Sequence, residues 1–153
     1  PLVVGDVVVV GAAHLPGGSP KSKTNQKGYI RGYDARTGKR LWIFHTIPRP
    51  GEFGNDTWLN DSWAVNGNVG VWNQISVDEE LGLAYLPVET PSSDFYGGHR
   101  PGNNLFADSI VAVDIKTGQN IVELNGERLS TGLGYRFNLG SIFGHSAEAA
   151  PIK

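Results

Sequence analysis

The 153 residues include no cysteine and no methionine. The first absence excludes disulfides and thiolate metal sites, and leaves the redox compartment undetermined. The second, in a chain that opens at Pro1 in strand-like sequence, leads us to expect a segment of a longer polypeptide. Long hydrophobic runs are lacking too. The longest, Val7 to Val10 with its flanks, falls far short of the ~18–20 residues that span a bilayer. No signal-peptide pattern can be read, which for a segment says little about location. Charge is scarce and nearly balanced: 13 basic against 15 acidic residues give a net charge of −2, so electrostatics make no case for nucleic acid. The small basic cluster Lys21, Lys23 and Lys27 reads as a solvated loop. The four histidines, His14, His45, His99 and His145, stand apart, and none has the i, i+4 partner of a helical zinc site.

Glycine and proline are plentiful, at 21 and 9 residues, a balance that suits turn-rich β structure and opposes long helices. Within that background one pattern repeats. Asp34-Ala35-Arg36-Thr37-Gly38 returns 80 residues later as Asp114-Ile115-Lys116-Thr117-Gly118, each time after a short apolar strand. Upstream of each lies another Val- or Leu-rich strand, within 2–11 and 81–88. A repeated strand–strand–DxxTG–strand unit points to a toroidal or stacked β architecture, because one such sheet cannot bury both faces alone. The turn has a mechanism. Aspartate accepts hydrogen bonds from backbone N–H groups two or three residues on, and Gly38 supplies a positive φ that closes the hairpin.

Strands are expected at 2–11, 29–34, 40–46, 69–76, 81–88 and 109–114. Residues 12–28, 47–62 and 89–107 read as connections, and loops of such length in a compact fold tend to carry function. Trp42 sits on a returning strand, where its ring can dock on a neighbouring sheet. Asp78, Glu79 and Glu80 read as a turn. Consecutive strand residues face opposite ways, so these carboxylates do not converge as an acid–base pair. Asp34 and Asp114 read as turn formers. On the residues alone, Trp72 reads as a core aromatic.

Asp34-Ala35-Arg36-Thr37-Gly38-Lys39-Arg40-Leu41-Trp42 resembles the tryptophan-docking motif of the pyrroloquinoline quinone (PQQ) dehydrogenases, which are eight-bladed β-propellers. Three further stretches, Leu41 to Gly54, Asp78 to Pro87 and Tyr96 to Gly102, resemble the membrane-bound glucose dehydrogenase branch and its relatives. The likeness covers roughly residues 1–118. It implies an all-β fold of about two blades, in units near 1–47 and 63–124, within a partial propeller over 1–124. Residues 125–153 are then a divergent tail, expected to be poorly ordered.

The resemblance also implies chemistry. In that family a sugar or alcohol hydroxyl gives its proton to an aspartate base and its hydride to PQQ, with Ca²⁺ (or Mg²⁺) as Lewis acid. Electrons pass on to a quinone or a cytochrome. The setting is periplasmic, with an inner-membrane anchor in an N-terminal part outside this sequence. Trp72 matches the tryptophan on which the quinone rests, and an indole face suits a planar, electron-poor ring. Thr90, just before Pro91, occupies the place where alcohol-oxidising relatives carry a metal-binding asparagine, and is expected beside the metal and the quinone. On its residues alone Thr90 also reads as a loop threonine bonded to its own backbone. Trp42, Trp58 and Trp63 are expected to be structural, and Arg100 to order its loop.

The sequence departs from the family where Val122 stands at the place equivalent to Trp42. The histidine-rich segment with the aspartate base, which follows in relatives, is not readable. No catalytic residue is therefore assigned, and the chain alone is expected to be a marginal fold without turnover, in need of its remaining blades. Two other classes fit parts of the pattern. A non-enzymatic propeller scaffold would explain the DxxTG turns and Trp42 but would not need Trp72. A sugar-binding repeat module would lead with exposed aromatics.

Overall fold

The computed structural model describes residues 1–12, 22–125 and 128–131. They form two antiparallel sheets, each a meander in chain order. The first comprises β1 (Leu2–Val4), β2 (Val7–Val10), β3 (Ile30–Asp34) and β4 (Arg40–Phe44). The second comprises β5 (Ser76–Asp78), β6 (Leu83–Val88), β7 (Ser109–Asp114), β8 (Asn120–Asn125) and β9 (Arg128–Thr131). Between them lie two 3₁₀ turns, Asn55–Thr57 and Leu59–Asp61, and one short helix, α1 (Ser62–Val65). All-β architecture is thus confirmed, and the repeat seen in the sequence is a repeat of sheets.

The two DxxTG turns close in the same way. Asp34 Oδ1 accepts from the backbone N–H of Arg36 (3.0 Å) and of Thr37 (2.7 Å) and from Thr37 Oγ1 (2.8 Å). Asp114 Oδ1 accepts from Lys116 N (3.0 Å), Thr117 N (2.8 Å) and Thr117 Oγ1 (2.9 Å). Gly38 and Gly118 take φ of 69° and 70°, the left-handed region expected of that position. Even the irregularity after the turn is copied. Gly32 faces Trp42 and Tyr33 faces Arg40, leaving Leu41 unpaired; Ala112 faces Val122 and Val113 faces Asn120, leaving Ile121 unpaired. Both aspartates thereby act as turn formers, as expected.

Trp42 joins the sheets. Its ring lies across Gly32 on its own sheet and against Gly118 of the second turn, where a Cβ on either glycine would strike the indole. Its Nε1–H donates to the Ile115 carbonyl at 2.8 Å, across 73 positions of sequence. The core behind it is built from alternate strand residues, with Val9, Ile30, Leu86, Val111 and Val113 fully buried.

Three expectations are corrected. Residues 2–11 are two strands, since the chain reverses at Gly5-Asp6 and pairs Val4 with Val7. Residues 69–76 are not a strand; only Ser76 belongs to one. Their apolar character reflects burial in a strap, residues 66–71, threaded between the segments 26–28 and 89–92. Asn68 N donates to Gln26 O (2.7 Å), Gly28 N to Asn68 O (2.6 Å), Ser92 N to Gly67 O (3.1 Å) and Glu89 N to Gly70 O (3.0 Å). Gly28 and Gly70 make this possible, because a Cβ on Gly28 would collide with the Gly70 backbone. Finally, the expected boundary after residue 124 is crossed: Asn125 belongs to β8, and β9 pairs with it over 128–131. The rest of the expected tail lies outside the described residues.

Two measurements check this account. Trp42→Ala should cost about 3–5 kcal/mol in urea unfolding, and Trp42→Phe about 1 kcal/mol less than that loss or better, since much of the ring survives and chiefly the N–H bond goes. Equal stability of Trp42→Ala and the wild type would refute the docking role. Acid provides the second. The hydrogen bonds from Thr37 (backbone, then hydroxyl) hold the Asp34 carboxyl below its ordinary value, against a smaller opposing effect of desolvation. At Asp114 burial pushes the carboxyl up, but the bonds from Thr117 and Lys116 outweigh it and the net direction is down. Both groups therefore stabilise the fold above the unfolded-state value of about 3.9, and that contribution fades as pH falls through the lower folded values. Asp114→Asn should destabilise at neutral pH and converge on the wild type in acid; a gap that widens below about pH 4 would contradict the bonding described.

Candidate cofactor-binding site

The buried strap ends in a residue that turns outward. Val71 and Ile75 are both buried, packed at either end of a short arch, and the three residues between them stand exposed. Trp72 opens that arch with 66% of its surface accessible, which a core aromatic would not show. It borders an open cleft of about 400 Å³ lined by Leu2, Gly11, Val71 and residues 73–75, where β1 starts and β2 ends. Within these two sheets Trp72 is therefore not part of the buried core.

Close to Trp72 in the chain, the Gly70 carbonyl accepts from the Glu89 backbone N–H at 3.0 Å. Glu89 Oε1 accepts from Gly70 N at 3.2 Å as well. Burial raises the Glu89 carboxyl above the ordinary range, the bond from Gly70 and the nearby polar hydrogens of Asn68 and Trp72 oppose that, and the negative charge of Asp94 reinforces it. Glu89 and Asn68 were not singled out in the sequence. A carboxylate following directly on the apolar β6 was the available signal, since a half-buried acid needs donors.

Thr90 is brought to the same place by backbone contacts. Its carbonyl accepts from Val69 N at 3.3 Å and from Asn68 Nδ2 at 3.0 Å. The strap residues 68–70 thus bond to Thr90 through Asn68 and Val69 and to Glu89 through Gly70. Among the described residues the Thr90 hydroxyl takes part in no hydrogen bond, so the backbone-bonded alternative finds no support. No cluster of three or more His, Cys, Asp or Glu side chains occurs among the described residues.

The other candidates fall into structural roles. Trp58 is buried and its Nε1–H donates to Leu105 O at 2.6 Å. Trp63 donates to Asp61 Oδ1 at 3.3 Å. Arg100 Nη1 donates to Asn104 Oδ1 at 3.1 Å within its own loop, as expected. Lys27 corrects the picture of a wholly solvated basic cluster. Its ammonium donates to Asn66 O at 2.6 Å, and burial first, then Arg49, lowers its pKa. Lys23 is exposed, and Lys21 lies outside the described residues. His45 pairs through Nδ1 with Glu52 Oε1 at 2.7 Å, a partnership the sequence did not reveal. His99 stacks edge-on with Tyr96, while His14 and His145 lie outside the described residues.

The profile of the PQQ family described as glucose/ethanol/alcohol dehydrogenase, beta-propeller domain, matches residues 1–121. The chain belongs to this family. It is 37% identical over 119 residues to the glycerol dehydrogenase large subunit of Gluconobacter oxydans (strain 621H), covering 77% of this chain and 15% of that protein. It is 30% identical over 124 residues to quinoprotein glucose dehydrogenase A of Acinetobacter calcoaceticus, covering 77% and 14%. The structure of quinohemoprotein alcohol dehydrogenase ADHIIG from Pseudomonas putida HK5 superposes with a TM-score of 0.68 at 31% identity, over 80% of this chain and 19% of that one. The chain therefore spans about a seventh of the length of these curated relatives, and its two sheets are blades of the family's β-propeller.

The exposure of Trp72 carries a stability prediction. Trp72→Ala should change the unfolding free energy by no more than about 0.5–1 kcal/mol, while Trp58→Ala should cost about 3–5 kcal/mol. Paired urea titrations decide it, and a Trp72 variant as damaged as the Trp58 variant would return Trp72 to the core.

Proposed function

We propose that this chain is part of a PQQ-dependent oxidoreductase that oxidises a sugar or alcohol hydroxyl and passes the electrons to a quinone or cytochrome. Family membership supports the oxidoreductase class and the quinone. The observation that carries the site is Trp72, an exposed indole beside a cleft of about 400 Å³ that offers room for a planar ring. The residues fit such a group. Trp72 would hold it by stacking, and Thr90 would lie beside it. When bound, PQQ supplies the carbonyl that accepts a hydride. Within the described residues, the part left to the protein is binding: the strap carries one exposed indole beside the cleft.

The expected Ca²⁺ (or Mg²⁺) finds no ligand set among the described residues, where a single hydroxyl at Thr90 is the one candidate contact. The aspartate base that the resemblance implies has no counterpart beyond Val122 in this sequence, since residues 123–153 contain no aspartate. Substrate binding and electron transfer to the acceptor rest on parts of the protein other than these two blades. A periplasmic location, membrane-anchored through an N-terminal part, accords with this reading.

The test is direct. Added PQQ should quench the fluorescence that Trp72 contributes, isolated as the difference between wild type and Trp72→Phe. The chain with PQQ, Ca²⁺ and glucose or ethanol should show no turnover. Absence of any Trp72-dependent quenching would favour the propeller-scaffold alternative, and sugar binding without the quinone would favour a sugar-binding module. Turnover by this chain alone would overturn the expectation that it needs its remaining blades.

A further inference from the structure

We propose that the groove between the two sheets, at the β4 edge of the first, is a second binding site, and that it takes a neutral cyclic polyol of monosaccharide size. The groove encloses about 400 Å³, within the ~300–1,000 Å³ of small-molecule sites. One wall is the end of β4 and the turn after it, with His45, Glu52 and Phe53. The other is Phe106 together with Gln119 and Asn120, where the second DxxTG turn enters β8. Both walls belong to the two sheets described, so the groove forms without a further sheet. It shares no residue with the cleft beside Trp72, which lies where β1 starts and β2 ends. β1 and β4 are opposite edges of the first sheet, three strand spacings of about 4.8 Å apart, so ligands in the two clefts would not meet. The site stands whether or not Trp72 carries a quinone.

The lining selects the ligand. Phe53 is 59% exposed and tilts at 52° against Phe106, with ring centroids 6.4 Å apart, so an apolar surface is left to solvent beside the groove. Glu52 supplies a carboxylate held in place: Oε1 pairs with His45 Nδ1 at 2.7 Å, and Oε2 accepts from Arg49 N at 2.7 Å. Each oxygen of a carboxylate has two acceptor positions, so each keeps one, and the side chain is 41% exposed. The side-chain amides of Gln119 and Asn120 take part in no hydrogen bond among the described residues. A hydroxyl donates to a carboxylate and accepts from an amide N–H at once, while the C–H face of a saturated ring covers an aromatic one. Neighbouring hydroxyls on such a ring therefore match this set of groups. No lysine or arginine lines the groove, which disfavours anions. A wholly apolar ligand would bury the amides and the carboxylate unpaired, at a cost in affinity.

The experiment is ¹⁵N NMR of the whole 153-residue chain, titrated separately with glucose, methyl α-glucoside, glycerol and phenol. Glucose and methyl α-glucoside should move the side-chain amide signals of Gln119 and Asn120, assigned through Gln119→Ala and Asn120→Ala. Dissociation constants of about 1–10 mM are expected for one stacked ring and a few hydrogen bonds in an open groove. Glycerol has the hydroxyls without the ring face, and phenol the ring without the array of hydroxyls. Each should bind at least about tenfold more weakly than glucose.

Variants then locate the site. Phe53→Ala should weaken glucose binding at least about tenfold and Gln119→Ala about threefold, while Trp72→Phe should leave it unchanged. The indole N–H signals of Trp42 and Trp58, held by Ile115 and Leu105, report the fold in each variant. Should Phe53→Ala lose them, the exposed substitution Gln119→Ala decides alone: weaker binding supports the site, and unchanged binding overturns it. The proposal also fails if glucose moves neither amide, or if glycerol or phenol binds as tightly as glucose. Binding lost with Trp72 and kept without Phe53 would assign the sugar to the other cleft and overturn the second site.

Discussion

The fold hangs on one indole. Trp42 reaches from β4 to the Ile115 carbonyl beside the second DxxTG turn, and its ring is accommodated because Gly32 and Gly118 carry no side chain. A sheet that leaves one face uncovered cannot stand by itself in water, so the position of the second sheet against the first is the central constraint. A buried ring supplies the apolar area, and its single N–H supplies direction, since an unsatisfied donor at that depth would cost about 1–3 kcal/mol. Apolar packing alone would permit sliding; the bond to Ile115 selects one register of sheet against sheet.

That register determines whether a site can exist. Residues 26–28 lead into β3 of the first sheet, and residues 89–92 follow β6 of the second. Only when the sheets are docked are these segments close enough for the strap to bond to both, through Asn68 to Gln26 and Thr90 and through Gly70 to Glu89. The strap is thus a second seam, polar where Trp42 is apolar. It converts the rigidity of the docked sheets into a fixed take-off point for Trp72. Evenly spaced backbone bonds hold the strap, while the functional ring is left outside the core, which reconciles a rigid support with an open face.

Local chemistry made the frame legible. The DxxTG turns, their left-handed glycines and the strands around them follow from short-range rules that operate within five or six residues, and Trp42 announced itself by its place after the turn. The strap was misread for the same reason. Val69 and Val71 carry a strand-like pattern, but Gly67 and Gly70 permit close approach of other chain segments, and Asn68 and Val69 take positive φ that no regular strand uses. Burial and strand membership give the same apolar signature in one dimension. Trp72 and Thr90 were visible through resemblance alone. Glu89 was not, because its two bonds are with Gly70, about twenty positions away, and nothing in its immediate neighbours encodes them.

The second sheet shows what happens where the frame repeats and its key residue does not. Its backbone copies the bulge after the turn, so position 122 occupies the register of Trp42. Valine offers neither an indole area nor an N–H, so the bond that joins the first sheet to the second cannot be made from that position to a further one. At this edge the chain does something the first sheet does not: β9 turns back and pairs with β8 from Val122 to Asn125. Pairing satisfies the outer N–H and C=O groups of β8, which an open edge would leave to solvent or to another chain. The first sheet is therefore completed through its face by a neighbour, the second along its edge by its own chain. The asymmetry leaves the strap that leads into Trp72 on the interface that keeps its docking tryptophan, bonded on one side to the segment before β3 and on the other to the segment after β6.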